Sequence, residues 1–64
     1  MTFTTGLTYR HRNNTEVDMQ VITIHCVEPE YVKMSIVWIN RHHKAIFHDS
    51  VTVKTKDMKN WSVV

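Results

Sequence analysis

Histidine is the residue type in this chain that first suggests chemistry. The segment INRHHKAIFH, residues 39–48, contains three of the five histidines, and the chain has a single cysteine. A structural zinc site takes four ligands, most often including cysteine thiolates at close spacing. The ligand candidates are His25, Cys26, His42, His43 and His48. Because adjacent residues of a strand point to opposite faces, neither adjacent pair readily holds one ion. The sequence therefore predicts neither a metal site nor a cofactor.

The candidate nucleophiles lack a partner that is placed to activate them. Cys26 follows His25, but strand neighbours diverge, and Cys26 shares the phase of Ile22 and Ile24. Cys26 is therefore predicted to be a small buried apolar residue. In the run His48-Asp49-Ser50, the base and the hydroxyl likewise do not converge within hydrogen-bond reach.

Glu16 and Asp18 share one strand face, as a general acid and a general base would. Paired carboxylates at the start of a strand are more typical of a solvated edge that discourages pairing with other sheets, and we predict that role for them. The single glycine, Gly6, excludes a glycine-rich phosphate loop. These observations predict that the protein is not an enzyme.

Basic residues are concentrated in the second half of the chain. Residues 33–64 carry six Lys or Arg and two Asp, whereas residues 1–32 carry two Arg and four Asp or Glu. Three clusters fall at predicted strand ends: Tyr9-Arg10-His11-Arg12, Arg41-His42-His43-Lys44 and Lys54-x-Lys56-x-x-Lys59. Long cationic side chains at such positions reach phosphates, and exposed aromatic rings stack on bases. Tyr9, Tyr31 and Phe47 are the candidate stacking residues.

Residue choice predicts that strands carry these groups. The chain has 22 Val, Ile and Thr residues, but one Ala and one Leu. β-branched side chains lose χ1 freedom in helices and pack well on pleated sheets. A chain of 64 residues is predicted to form one small domain. Packing alone must stabilise this domain, because one cysteine forms no internal disulfide. The cysteine usage, with no signal-peptide or membrane-spanning run, predicts a cytoplasmic protein.

Alternation of apolar and polar residues divides the chain into five predicted strands. They cover residues 7–11, 17–27, 31–40, 45–54 and 61–64. Adjacent asparagines predict a turn at residues 12–15, and Pro29, which cannot donate to a ladder, predicts a break after the second strand. Residues 55–60 lose the alternation and predict one helical or 3₁₀ turn. Residues 1–6 are predicted to be a flexible lead-in to a single β-domain of residues 7–64.

The second strand changes phase along its length. Its apolar residues have odd numbers as far as Val21 and even numbers from Ile22, which predicts a bulge or a sharp bend there. The fold class is therefore predicted to be all-β, as an SH3-like barrel or a strongly bent antiparallel sheet with a 3₁₀ turn before the last strand. The predicted core contains Ile22, Ile24, Val32, Met34, Ile36, Trp38, Val51, Val53 and Trp61.

Three stretches resemble known sequences: TYRHRNNTEVDMQV, YVKMSIVWINR and VKTKDMKNW. They are similar to small, mostly uncharacterised proteins encoded by tailed bacteriophages, and the likeness covers most of the chain from Thr8 to Trp61. The resemblance implies a compact β-domain of SH3-like type that acts in an infected bacterium by binding nucleic acid or a host protein. It transfers no site residues to this chain.

Two binding roles follow. The first is a module that acts on a host protein or self-associates, with Tyr31, Val37 and Ile39 as an exposed patch and a strand edge free to pair. The alternative is a small basic nucleic-acid-binding protein. The residues predicted to contact a partner or nucleic acid are Tyr9, Arg10, Arg12, Tyr31, Arg41, His42, His43 and Lys44. Because histidine is charged mainly in mildly acidic solution, His42 and His43 are expected to matter at lower pH.

Overall fold

The computed structural model describes residues 2–14 and 16–64 and shows an all-β chain. Its elements are β1 (Thr8–His11), β2 (Val17–Val27), β3 (Tyr31–Asn40), β4 (Ile46–Lys54), a 3₁₀ turn (Thr55–Asn60) and β5 (Trp61–Val63). The predicted boundaries agree to within one residue at every end. The predicted fold class, with five antiparallel strands and a 3₁₀ turn before the last, is confirmed. In the described part of the chain, no helix is long and apolar enough to cross a membrane.

All five strands join one antiparallel sheet in the order β4-β3-β2-β1-β5. The pairing of β2 with β3 shifts register twice, so that Ile22 and His25 are extra residues on the β2 side. Such bulges bend a strand and increase its twist, which lets one long strand serve two halves of a curved sheet. The bulge predicted near Ile22 is therefore confirmed.

One face of the sheet carries the core. Its buried members are Phe3, Tyr9, Met19, Val21, Val32, Met34, Ile36, Val53, Met58 and Trp61, and Ile24, Trp38 and Val51 pack against them. Every predicted core residue is in this set except Ile22, which is 43% exposed. That prediction is wrong because Ile22 is itself the extra residue of the bulge, so the core side of β2 passes from Val21 to Ile24.

Residues 2–6 belong to the packed domain rather than to a flexible lead-in. The ring of Phe3 is buried and meets Tyr9 edge-on, with centroids 4.8 Å apart. The backbone N–H of Thr4 donates to the Tyr9 hydroxyl at 2.7 Å. Edge-to-face aromatic pairs add to the stabilisation that burial provides, so this segment completes the core beside β1.

Candidate partner-binding sites

β4 lies at one edge of the sheet and offers unpaired backbone groups. In an antiparallel ladder, alternate residues direct their N–H and C=O toward opposite neighbours. Before β4, Asn40 N–H donates to the Ala45 carbonyl, and after it Thr55 N–H donates to the Glu30 carbonyl, both at 2.9 Å. The register between these points is continuous, so the backbone N–H and C=O groups of the odd-numbered residues of β4 point toward β3. The backbone groups of the even-numbered residues in 46–54 therefore face away from the sheet.

Two hollows flank the second half of β4, one on each face of the sheet. The outer hollow, of about 640 Å³, is lined by Tyr31, Thr52, Lys54 and Lys56, with Glu30 at its side. The core-side hollow, of about 660 Å³, is lined by Trp38, Val51, Val53 and Trp61, with Lys54, Lys56 and Asp57 at its rim. Each rim therefore combines two lysines with one carboxylate, and the open edge of β4 runs between the hollows.

Asp49 divides this open edge. Its carboxylate accepts hydrogen bonds from the indole N–H of Trp38 at 2.9 Å and from the backbone N–H of Ser50 at 2.8 Å. These two bonds, with that from Trp38 the stronger cause, lower the pKa of Asp49. Because the Ser50 N–H already has an acceptor, the unoccupied part of the edge beside the hollows runs from Thr52 to Lys54.

A buried carboxylate joins two arginines that are distant in sequence. Asp18 is 5% exposed. Arg10 donates to its carboxylate through Nε at 2.9 Å and Nη2 at 3.1 Å, and Nε of Arg41 lies 3.6 Å from Oδ1. The hydrogen bonds from Arg10 lower the pKa of Asp18 more than desolvation raises it, and the carboxylate in turn raises the pKa of Arg10. The prediction of a solvated Asp18 is therefore wrong, whereas Glu16 is exposed.

Arg41 also attaches the turn between β1 and β2 to the end of β3. Its Nη2 donates to the Asn14 carbonyl at 2.9 Å, and its backbone N–H donates to the Glu16 carbonyl at 2.8 Å. The Asn14 side-chain oxygen accepts from the N–H groups of Glu16 and Val17. The guanidinium of Arg41 is thereby held in one place between two turns.

The arginines of the first two basic clusters line one cavity of about 400 Å³, which we call the arginine cavity. Its polar lining consists of Arg10, His11, Arg12, Asn14, Arg41 and Ser62. Arg10 and Ser62 are paired across β1 and β5. The sequence singled out the arginines, but Asn14 and Ser62 carried no signal, because polar residues of this kind are common in turns and on solvated strand faces.

Two histidines of the 39–48 segment, His42 and His43, lie on an exposed hairpin turn, and the third, His48, lies on β4. The Asn40 side-chain oxygen accepts the backbone N–H groups of His42 and His43, each at 2.9 Å. Lys44 closes the turn with a φ of 56°. The predicted loop position of the two histidines agrees with this arrangement, but His42, His43 and Lys44 do not line the arginine cavity.

The aromatic and apolar residues predicted to contact a partner differ in how exposed they are. Tyr9 is 1% exposed and belongs to the core, so its prediction as a stacking residue is wrong. Val37 is also buried, so it contributes no exposed patch. Tyr31 and Ile39 are half-buried, and Tyr31 lines the outer hollow. Phe47 is 54% exposed on β4.

One histidine makes a pairing that the sequence did not reveal. His25 Nε2 and the Ser35 hydroxyl are 2.5 Å apart and form a hydrogen bond. The bulge in β2 brings them together, and a bulge position has no fixed partner in a register predicted from alternation. Within residues 2–14 and 16–64, no carboxylate bonds the other ring nitrogen of His25, and no three His, Cys, Asp or Glu side chains are grouped to hold a metal ion.

Cys26 is expected to react slowly with thiol reagents at neutral pH. It is half-buried, and its thiol donates to Glu28 Oε1 at 3.5 Å. Partial desolvation raises the pKa of the thiol, and the Glu28 carboxylate adds to the increase, since both disfavour the thiolate. Alkylation by iodoacetamide, followed by mass spectrometry, should be slower than for a free cysteine. Glu28→Gln should accelerate it, and an unchanged rate in that variant would contradict this explanation.

Fold and site together define a small all-β domain with an open strand edge and an arginine-lined cavity. No protein-family model matches the chain, and neither the curated proteins nor the solved structures yield a similar protein.

Proposed function

We propose that this protein is a non-enzymatic binding module that takes an extended segment of a partner protein as an added strand along β4. The supporting observation is that unpaired backbone groups of Thr52 and Lys54 lie between two hollows on opposite faces of the sheet. In strand addition, ladder hydrogen bonds provide affinity and pockets for alternate side chains provide specificity. With the sequence resemblance, we propose that the partner is a host protein in the cytoplasm of an infected bacterium.

The lining of the hollows suggests the chemistry of the segment. Trp38, Val51, Val53 and Trp61 form an apolar surface that suits a large apolar or aromatic side chain. Lys54 and Lys56 stand at both rims and outnumber the carboxylate at each. The partner segment therefore alternates an apolar anchor with acidic residues, which place their charges near the lysines.

A proline at the open edge tests this function. The N–H of Thr52 faces away from β3, so Thr52→Pro removes a donor that a partner strand needs without removing a bond of the sheet. A display library of random peptides is selected for binding to the wild-type protein, and the enriched peptide is synthesised. We expect Thr52→Pro to weaken its binding at least tenfold by fluorescence anisotropy, while Thr52→Ala, the side-chain control, stays within about twofold.

Charge reversal supplies a second readout. Lys54→Glu should weaken the binding of an acidic peptide. Lys59→Glu should not, because Lys59 is exposed and lines neither hollow. Equal binding of the enriched peptide to the proline and alanine variants would reject strand addition. Sedimentation of the free protein shows whether the added strand belongs instead to a second copy of the chain. If the wild-type protein is a dimer and Thr52→Pro is a monomer, a second copy, and not a partner protein, binds along β4.

A further inference from the structure

The arginine cavity holds more positive charge than the fold neutralises. Arg10, Arg12 and Arg41 line it, and Asp18 is the carboxylate that pairs with Arg10 and Arg41. Among the side chains, three guanidinium groups stand against one carboxylate, which leaves a surplus of positive side-chain charge at a cavity of about 400 Å³ that Val63 and Val64 also line. Uncompensated like charges held close together repel one another, so an anion that enters the cavity relieves a cost already present in the fold.

The guanidinium groups are held in place while part of their donor capacity remains unused. Arg10 uses Nε and Nη2 on Asp18, and Arg41 uses Nη2 on the Asn14 carbonyl. In the described part of the chain, neither Nη1 group has a protein acceptor, and the buried Nε of Arg41 has no hydrogen-bond partner. Donors fixed before binding lose little conformational entropy when a ligand arrives. Arg12 is exposed and lines the cavity, where its guanidinium adds further donors.

We propose that the arginine cavity binds the phosphate group of a phosphate monoester. Guanidinium forks match the spacing of phosphate oxygens and bind them in a bidentate manner. A monoester carries a charge of about −1.5 to −2 at neutral pH, so it interacts more strongly with the surplus positive side-chain charge than a singly charged anion does. A phosphodiester carries one charge per group, so the same site discriminates a terminal phosphate from the backbone of a nucleic acid. Ser62, opposite Arg10 on β5, offers a hydroxyl that donates to the same group.

The test compares charge-matched variants against inorganic phosphate. The ¹⁵N-labelled protein is titrated with phosphate at low ionic strength, and the arginine Nε–H signals are followed by NMR. We expect saturable shifts of the Arg10 and Arg41 signals. Arg12→Gln should weaken binding about tenfold, because Arg12 has no side-chain contact that the fold requires. Lys59→Gln makes the same change in net charge outside the cavity and should stay within about twofold.

Two further probes identify the source of the phosphate. A short single-stranded DNA with a 5′-phosphate should bind at the arginine cavity, and the same DNA with a 5′-hydroxyl should bind at least tenfold more weakly. Equal binding of both, with an affinity that falls steeply with salt, would overturn the monoester proposal in favour of backbone contacts. An equal loss in Lys59→Gln, or no saturable shift with phosphate, would overturn the site itself. Thr52→Pro should leave phosphate binding unchanged.

Discussion

Trp61→Ala is expected to remove most of the stability of the protein and to leave a substantial fraction of it unfolded at room temperature. The side chain of Trp61 is 8% exposed and packs between rings of three other segments. The ring centroids lie 6.3 Å from Phe3, 4.9 Å from His11 and 6.5 Å from Trp38. Removing an indole from such a site costs about 3–5 kcal/mol. A domain of this size has a free energy of unfolding of about 5 kcal/mol, so the loss is comparable with its total stability.

Urea denaturation followed by circular dichroism measures this effect. Val63→Ala is the matched control, because Val63 lies in the same strand and is 55% exposed. Its free energy of unfolding should stay within about 0.5 kcal/mol of the parent. A cooperative transition of Trp61→Ala within a few degrees of the parent on heating would show that β5 does not close the core in solution.

Asp18→Asn is expected to give the next largest loss. The substitution removes the charge that two guanidinium groups share while it keeps the size of the side chain. Hydrogen bonds to charged groups contribute about 1.5–3 kcal/mol each, and Arg10 remains 43% exposed, which lets water replace part of the loss. We therefore expect the free energy of unfolding at pH 7 to fall by about 2 kcal/mol, measured by urea denaturation.

The pH dependence separates this electrostatic effect from a change in packing. The pKa of Asp18 is lower in the folded than in the unfolded chain. Its contribution to stability is therefore complete above the unfolded value, ~3.9, and is lost as the pH falls through the folded value. The difference in free energy of unfolding between the parent and Asp18→Asn should thus shrink as the pH falls below the unfolded pKa and through the folded one. A difference that stays constant between neutral and strongly acidic pH would contradict an ion-paired Asp18.

Strand positions were predictable because alternation is a local property. The boundaries of β2 and β3 agree with the sequence pattern, since each strand has a buried and a solvated face. The location of the bulge was also visible, as a change of phase. Its consequence for Ile22 was not, because a bulge decides locally which residue turns away from the core. The prediction for Tyr9 is wrong although its neighbours, Thr8 and Arg10, are polar, a pattern that itself places Tyr9 on the core face.

The sites were predictable only where they depend on residue type. Arg10, Arg12 and Arg41 stand out as cations in the sequence, but the carboxylate that Arg10 and Arg41 share, Asp18, joins segments that the sheet order brings together. The expectation that Lys44 acts with Arg41 rested on their proximity in sequence. The hairpin turn instead separates them, because Arg41 points back to Asn14 while Lys44 lies on the exposed tip.

Asp49 also bears on the solubility of the protein. The segment Ile46–Lys54 combines high β-propensity with few charges and no proline, which is the composition of segments that stack into amyloid fibrils. Stacking requires an uninterrupted row of backbone donors and acceptors. Asp49 places a charge in the middle of the segment and occupies the Ser50 N–H, so it acts as a gatekeeper against self-templating growth. On the proposal of strand addition, the edge that remains from Thr52 to Lys54 is long enough for a short segment and too short for propagation from copy to copy.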